Sequence, residues 1–248
     1  ITLVVFGSTS IALWLYLTPS PLTEEVLLKQ AFEKVTLVTA YTQTVQTEVL
    51  LADRRLHVDG IYHHNGAQNQ FAAVATTTLV IPSGKKNEEH SFTLRNISID
   101  NDVYTRIETD SDILRSTIPN TPTWQHFSKN AIPEAFVNIA DSGPILDNLL
   151  LFTEGGTYLK LIESRGTAQW GDNSFERYSF KVSDTVPKNV GGTLGTLLGR
   201  IGKTGTIDVW IERETAVIRH FVFTGDKYYS TTTISAINIP FPIEAPSL

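Results

Sequence analysis

Three histidines lie close together in the first third of the chain, and their spacing raises the question of a metal site. His57 and His63 are six positions apart, and His64 follows directly. Neighbouring side chains of a strand point to opposite faces, so His57 and His63 are predicted to share a face that His64 does not. A transition metal needs three or four converging ligands. We therefore interpret these histidines as exposed strand and turn residues, and we predict neither a metal nor a cofactor.

A second unusual pattern is a glycine repeat inside a segment, residues 189–201, that is predicted to be helical. Gly191, Gly195 and Gly199 recur every four residues, which places them on one stripe of a helix. Each glycine costs about 1 kcal/mol relative to alanine in that position. Close packing of the helix would offset the cost. The alternatives are a thin or mobile lid over an apolar cleft, and a flexible loop instead of a helix.

No group of residues predicts catalysis. Residues 202–204, Gly-Lys-Thr, resemble the end of a phosphate-binding loop, but Leu197 stands where that loop needs glycine. Acidic pairs such as Glu88-Glu89 occur in polar, turn-like runs, and no metalloprotease, serine hydrolase or dinucleotide-binding motif is present. An enzyme acting on envelope polymers would need converging carboxylates, which the sequence does not assemble. We predict a protein that is not an enzyme and has no catalytic residues.

The composition excludes further classes of protein. The 248-residue chain has a net charge of −6 and no cluster of lysine and arginine, which predicts no binding to nucleic acid. It contains no cysteine, so disulfides, thiolate metal ligands, cysteine nucleophiles and a lipid carried on cysteine are excluded. Its apolar content of 41% is ordinary and is sufficient for a packed core.

The N-terminal segment, residues 1–17, is uncharged and apolar, and the first charged residue is Glu24. Trp14 and Tyr16 lie near its end, where aromatic side chains favour a membrane interface. We predict that this segment is a single-pass membrane anchor, and that residues 1–21 include a short proline-broken spacer. The alternatives are the end of an uncleaved signal peptide and a buried core helix. With either of the first two, residues 22–248 form a single extracytoplasmic domain.

The elements of that domain follow from hydrophobic periodicity. A helix is predicted over residues 23–39, with Glu24 and Glu25 in its first turn. From residue 41 the period changes to two, which indicates strands. Ten strands are predicted, at residues 41–51, 56–62, 71–81, 92–99, 103–109, 158–163, 175–182, 207–212, 217–224 and 229–239. Residues 85–89 are predicted as a polar turn, 118–130 as a loop, and 133–140 and 144–152 as short helices that begin with proline.

Ten short strands with tight turns predict one antiparallel sheet in an α+β fold. The predicted helices are too few to cover both faces of such a sheet. The simplest arrangement is a curved sheet, or half-barrel, with a few helices on its concave side. A strongly curved sheet is not filled by so few helices at normal packing density, and the space that remains is an apolar cleft.

The C-terminal third carries a family resemblance. Thr206–Glu212 is a strand with a tryptophan that leads into an acidic turn at 213–215 and a further strand, and the last strand ends at Asn238-Ile239-Pro240. With an N-terminal helix that leads directly into a strand, this order resembles the outer-membrane lipoprotein carrier fold (LolA/LolB-like). That fold is shared by mycobacterial LppX/LprG lipoproteins and the N-terminal domain of RseB-type regulators. The resemblance covers about residues 22–246.

The resemblance implies a half-barrel that binds acyl chains or other apolar ligands, or that serves as an interaction surface. We therefore predict a membrane-anchored extracytoplasmic protein that holds a lipid or other apolar small molecule for transfer or sensing. The alternative is a cell-envelope protein-interaction or structural module, with the same fold, a filled interior and a protein partner. The residues predicted to line the cleft are Val35, Val38, Leu146, Leu149, Leu194, Leu197 and Leu198.

Overall fold

The computed structural model of the protein describes residues 23–83, 86–116, 118, 120–132, 159–170, 172–182 and 204–248. The predicted membrane anchor lies outside the described residues, as do the helices predicted at 133–140, 144–152 and 189–201. None of the helices within the described ranges has both the length and the apolar character that crossing a bilayer requires.

The first described element is the helix α1, Glu24–Val35. Glu24 and Glu25 lie in its first turn, as predicted, where their carboxylates interact favourably with the helix dipole. The helix ends four residues earlier than predicted, because residues 36–39 form the turn that leads into the first strand. Its buried residues recur every four positions and form a single face, made of Leu27, Ala31 and Val35.

Eleven strands follow α1, with one turn of helix, α2 (Asp112–Arg115), between the fifth and the sixth. They are β1 (Ala40–Leu51), β2 (Arg54–Asn65), β3 (Gln70–Ser83), β4 (Lys86–Ile99), β5 (Asp102–Thr109), β6 (Thr121–Ser128), β7 (Leu159–Trp170), β8 (Asn173–Val182), β9 (Thr206–Glu212), β10 (Val217–Thr224) and β11 (Tyr228–Ser235). All of them belong to one curved sheet in the order β6-β5-β4-β3-β2-β1-β11-β10-β9-β8-β7. The predicted curved antiparallel sheet is therefore confirmed, with one strand more than expected.

Two meanders meet in the middle of this sheet. β1 to β6 follow one another in chain order, as do β7 to β11, and β1 pairs antiparallel with β11. The pairing runs from Thr42 opposite Ser235 to Val49 opposite Tyr228. The first and last strands of the described chain thus join the N-terminal half of the sheet (β1 to β6) to the C-terminal half (β7 to β11).

The additional strand is β6, which lies in the segment predicted as a loop. Pro122 and the neighbouring Thr and Asn residues favoured the loop prediction, which is wrong for residues 121–128. β6 is an edge strand that pairs only with β5 among the described strands. A proline is tolerated at an edge because the missing N–H would face away from the sheet.

The two largest differences between predicted and observed strand boundaries arise because polar residues continue the pairing. Residues 86–89, predicted as part of a turn, pair with the end of β3, starting with Lys86 opposite Ser83. β7 extends to Trp170 instead of ending at residue 163, because it forms a long hairpin with β8. Charged side chains are accommodated in both places because these strand segments are exposed to solvent.

The last strand ends earlier than predicted, at Ser235 instead of residue 239. Ala236 and Asn238 have φ angles of 49° and 56°, in the left-handed region, which breaks the extended backbone. The Asn238 side-chain oxygen accepts a hydrogen bond of 2.9 Å from the backbone N–H of Thr39, and the Asn238 N–H donates to the carbonyl of Ala40. These contacts fix the start of the C-terminal tail, residues 239–248, beside the start of β1.

Candidate functional site

The helix α1 covers the C-terminal half of one face of the sheet, which we call the inner face. It packs against β9 and β10, and its buried face joins the inward side chains of β8 to β11 in one hydrophobic core. Phe221 and Phe223 are fully buried there, with ring centroids 5.2 Å apart. The core also includes Tyr178, Phe180, Ile207, Val209, Ile211, Ile218 and Ile234.

The N-terminal half of the inner face is built differently. Within the described residues, no helix longer than α2 contacts it closely, and its centre carries small side chains. Gly60 lies opposite Ala75, and Tyr62 lies opposite Ala73. The Tyr62 ring folds over Gly60, where an added Cβ would lie 2.5 Å from the ring. Small side chains lower the surface of the sheet here, and partly buried apolar residues surround it, namely Leu56, Val58, Phe71, Leu79 and Phe92.

A strip of polar side chains separates the two halves of the inner face. It follows β1 and β11, where Thr47 and Ser230 share a buried hydrogen bond of 2.8 Å between their hydroxyls. Gln43 and Thr232 are both 0% exposed. Among the described residues, no group forms a hydrogen bond with either amide atom of Gln43 or with the hydroxyl of Thr232. We call these four residues the polar strip.

The titratable groups that flank the polar strip are held neutral by burial. Burial, with a smaller contribution from the neighbouring Tyr228, raises the pKa of Tyr62, which lies opposite Gln43, to about 12. Burial lowers the pKa of His64, whose Nδ1 has no hydrogen-bond partner. Both effects have the same cause, because a low-dielectric environment disfavours the charged form of each group. At neutral pH the surroundings of the strip therefore carry no charge from these side chains.

Two of the residues predicted to line a cleft lie within the described structure. Val35 and Val38 line a small apolar pocket at the end of α1, together with Ile218 and Ile234 on the sheet. The cavity volume of this pocket is about 10 Å³, room for no more than about one water molecule, whereas typical small-molecule sites have roughly 300–1,000 Å³. The other predicted residues, Leu146, Leu149, Leu194, Leu197 and Leu198, lie outside the described residues.

The three neighbouring histidines do not converge. The register of β2 places His57 and His63 on the outer face of the sheet and His64 on the inner face, as predicted. The His57 Nε2 lies 2.9 Å from Asp59, and the His63 Nδ1 lies 2.8 Å from the Thr42 hydroxyl. In the part of the chain that the structure describes, no group of three or more His, Cys, Asp or Glu side chains has the geometry of a metal site.

The outer face of the C-terminal half carries a cluster of aromatic and charged residues that the sequence did not predict. The Arg177 guanidinium lies 4.7 Å from the centre of the Trp210 ring and 2.7 Å from Asp208. Asp208 also accepts a hydrogen bond from the buried Ser179 hydroxyl. The edge of His220 meets the Trp210 ring with centroids 4.8 Å apart. The cluster depends on the register of three strands, which the spacing of residues along the chain does not indicate.

Comparison with solved structures shows a fold shared with LprF, in agreement with the fold that the sequence resemblance implied. LprF from Mycobacterium bovis is 16% identical, with a TM-score of 0.51 over 89% of this chain and 95% of that protein. Lipoprotein LppX from Mycobacterium tuberculosis is 10% identical, with a TM-score of 0.44 over 90% of this chain and 100% of that protein. A LolA superfamily protein from Nitrosomonas europaea is 7% identical, with a TM-score of 0.24 over 86% of this chain and 92% of that protein. No known protein family and no curated protein matches the sequence.

Proposed function

We propose that the protein is a membrane-anchored extracytoplasmic binding protein that holds a lipid or other apolar ligand against the inner face of its sheet. Residues 1–17 are the proposed anchor, and residues 22–248 the proposed binding domain. Binding involves no covalent step, because the ligand is retained by apolar contact. The sequence resemblance to the lipoprotein carriers, together with the fold shared with LprF, supports a binding role over an enzymatic one.

The observation that carries this proposal is the asymmetry of the inner face. The C-terminal half is covered by α1 and packed with large side chains such as Phe221 and Phe223. The N-terminal half has the small residues Ala73 and Ala75 at its centre, beside the Tyr62 ring that covers Gly60, with larger, partly buried apolar residues at the margin. An apolar surface that is lower in the middle than at its rim is suited to an elongated apolar ligand, because burial of the ligand's surface provides the binding free energy.

The alternative is a cell-envelope interaction or structural module with a filled interior. The observation in its favour is the small size of the pocket beside Val35 and Val38. The two functions differ in what accompanies the purified protein. A carrier retains an apolar ligand, whereas a module with a filled interior retains none and uses its outer surface to bind a protein partner.

The direct test is native mass spectrometry of protein purified from membranes, followed by organic extraction of anything bound. The informative variant is Ala75→Phe, which fills the centre of the inner face, and the matched control is Val74→Phe. Val74 precedes Ala75 in β3 but lies exposed on the outer face. We expect wild type and Val74→Phe to carry an apolar ligand and Ala75→Phe to carry much less.

Melting temperatures of both variants show whether they remain folded, since overpacking costs about 1–3 kcal/mol. Absence of any apolar ligand from the wild-type protein, or equal loading of Ala75→Phe and wild type, contradicts the proposal. The anchor is tested separately by deleting residues 1–21. We expect the truncated protein to leave the membrane fraction, and its retention there would contradict an anchor at residues 1–17.

A further inference from the structure

Gln43 is a buried polar residue whose amide group forms no hydrogen bond with any described residue. It lies on the inner face of β1, opposite Tyr62 of β2 on one side and Ile234 of β11 on the other. Gln43 is 0% exposed, and neither its amide nitrogen nor its amide oxygen has a hydrogen-bond partner in the part of the chain that the structure describes. A buried amide without partners destabilises a folded protein, so it requires an explanation.

A second unpartnered group lies beside it. Thr232 is diagonal to Gln43, because Gln43 pairs with Ile234 and Val45 pairs with Thr232. The Thr232 hydroxyl is buried and likewise has no hydrogen-bond partner within the described ranges. Diagonal neighbours in an antiparallel pair lie about 7–8 Å apart, so one ligand group can contact both side chains. Together the two residues offer an N–H donor, a carbonyl acceptor and a hydroxyl that serves as either.

The surroundings of this pair determine the charge of the group that it accepts. In the pairing register, the inner-face positions of β1, β2, β3 and β11 carry one charged residue, Arg54, which is exposed at the far end of β2 opposite Leu51 and eight positions along β1 from Gln43. A carboxylate or phosphate placed there would have no cation to offset its desolvation. An uncharged ester, amide or hydroxyl needs only the hydrogen bonds that Gln43 and Thr232 supply, and these are strong in a dry environment.

We propose that Gln43 and Thr232 form the polar anchor of the ligand site, where they hydrogen-bond an uncharged ester or hydroxyl group of an otherwise apolar ligand. This inference rests on the proposed function and specifies its ligand class as a neutral, ester- or hydroxyl-bearing lipid. The apolar part of the ligand lies along the inner face of β2 and β3, next to Ala73 and Ala75. Selectivity for the uncharged polar group then resides in β1 and β11.

The test compares three probes: dioleoylglycerol, oleate at pH 8, and the hydrocarbon squalene. For wild type we expect dioleoylglycerol to bind at least tenfold more tightly than either of the others. Gln43→Leu should lower the affinity for dioleoylglycerol about tenfold, leave that for squalene unchanged, and raise the melting temperature by roughly 2–4 °C because an unpartnered buried amide is removed. Thr232→Val should lower the affinity for dioleoylglycerol by a smaller factor.

Gln46→Leu is the matched control, because Gln46 lies on the same strand but on the outer face, where it hydrogen-bonds Asp59. It should leave the affinities for all three probes within about twofold of wild type. An unchanged preference for dioleoylglycerol over squalene in both Gln43→Leu and Thr232→Val overturns the inference. If wild type binds dioleoylglycerol and squalene equally, the inference fails while the proposed function stands. If wild type binds no probe, both fail.

Discussion

The two halves of the inner face bury their apolar residues in different ways. In the C-terminal half, α1 presses Leu27 and Ala31 against a layer of phenylalanine, isoleucine and valine side chains that are close to fully buried. In the N-terminal half, alanine and glycine occupy the centre, and the larger apolar residues around them are only partly buried. The comparison indicates that, among the described residues, the C-terminal half contributes more of the stability of the sheet than the N-terminal half.

The outer faces of the two halves show a parallel difference. Arg177 and Asp208 form a mostly buried ion pair beneath Trp210 in the C-terminal half. In the N-terminal half, Glu48 and Arg55 form an ion pair of 2.8 Å that is largely exposed. Exposed pairs contribute little because water and salt screen them. Both faces therefore place the strongly stabilising contacts in β8 to β10.

The largest expected effect comes from truncating a core phenylalanine. Phe221→Ala should lower the free energy of unfolding by about 3–5 kcal/mol, because it removes a fully buried ring and leaves a cavity. Phe71→Ala, on the inner face of β3, should cost about half as much, since its ring is only partly buried. Urea denaturation of both variants measures the difference. Equal losses would contradict the division of stability between the halves.

The second effect concerns the ion pairs. Asp208→Ala leaves Arg177 without its carboxylate and Ser179 without its acceptor, and should cost about 2 kcal/mol. Glu48→Ala should cost less than about 1 kcal/mol. Denaturation curves in low and high salt provide the measurement, and the cost of Glu48→Ala should shrink in high salt. A larger cost for Glu48→Ala than for Asp208→Ala would reverse the comparison of the outer faces.

A smaller effect is expected for the C-terminal tail, which crosses the outer face of the N-terminal half. Phe241 stacks on His63 with ring centroids 3.8 Å apart and an interplanar angle of 7°. Phe241→Ala should cost about 0.5–1.5 kcal/mol, the range of an aromatic pair. Ile239→Ala is the control, because Ile239 is 64% exposed and should have almost no effect. Equal effects of the two changes would show that the stacking contributes nothing.

The smallest effect is a pH dependence shared by the two halves. Burial lowers the pKa of His64 in the N-terminal half and of His220 in the C-terminal half. As pH falls below about 6.5, the ordinary pKa of histidine, these imidazoles become protonated in the unfolded chain before they do in the folded protein. The free energy of unfolding therefore decreases. Well above pH 6.5 these histidines are neutral in both states, so they cause no change in the free energy of unfolding with pH. His64→Gln and His220→Gln should each flatten the decline between pH 7 and pH 5, and a slope unchanged from wild type would contradict the burial of that imidazole.

Much of the sheet is visible in the sequence because one side of most strands faces the core. β10 begins and ends at the predicted residues, and the alternation of β1 places Tyr41 and Val45 on the inner face as expected. β6 was not predicted because it is an edge strand whose residues alternate weakly between buried and exposed, and because Pro122 is typical of a loop. The end of the last strand was predicted wrongly because the left-handed backbone begins at Ala236, a residue type that rarely adopts it, whereas Asn238, a type that favours it, lies two residues further on.

The candidate site is less accessible to sequence reasoning, because it depends on which strands are neighbours. The helical spacing of Val35 and Val38 placed them on the buried side of the predicted helix. Their predicted contact with a ligand stays a prediction. Gln43 lies two residues from both Tyr41 and Val45, so the alternation of β1 predicts that it faces inward. A polar residue at such a position could have indicated the site from the sequence. Only the pairing of β1 with β11 brings Thr232 next to it, and no local pattern indicates that pairing.

The junction between β1 and β11 has a consequence for how the protein is made. The N-terminal meander can form as soon as it is synthesised, yet the free edge of β1 has no strand to pair with until the end of the chain emerges. Contacts between such distant segments form late and slow the folding of a sheet. In the meantime the open edge is a place where another unfinished chain can pair. We therefore expect folding of this chain to be more efficient when a chaperone covers the edge of β1 until β11 has been synthesised.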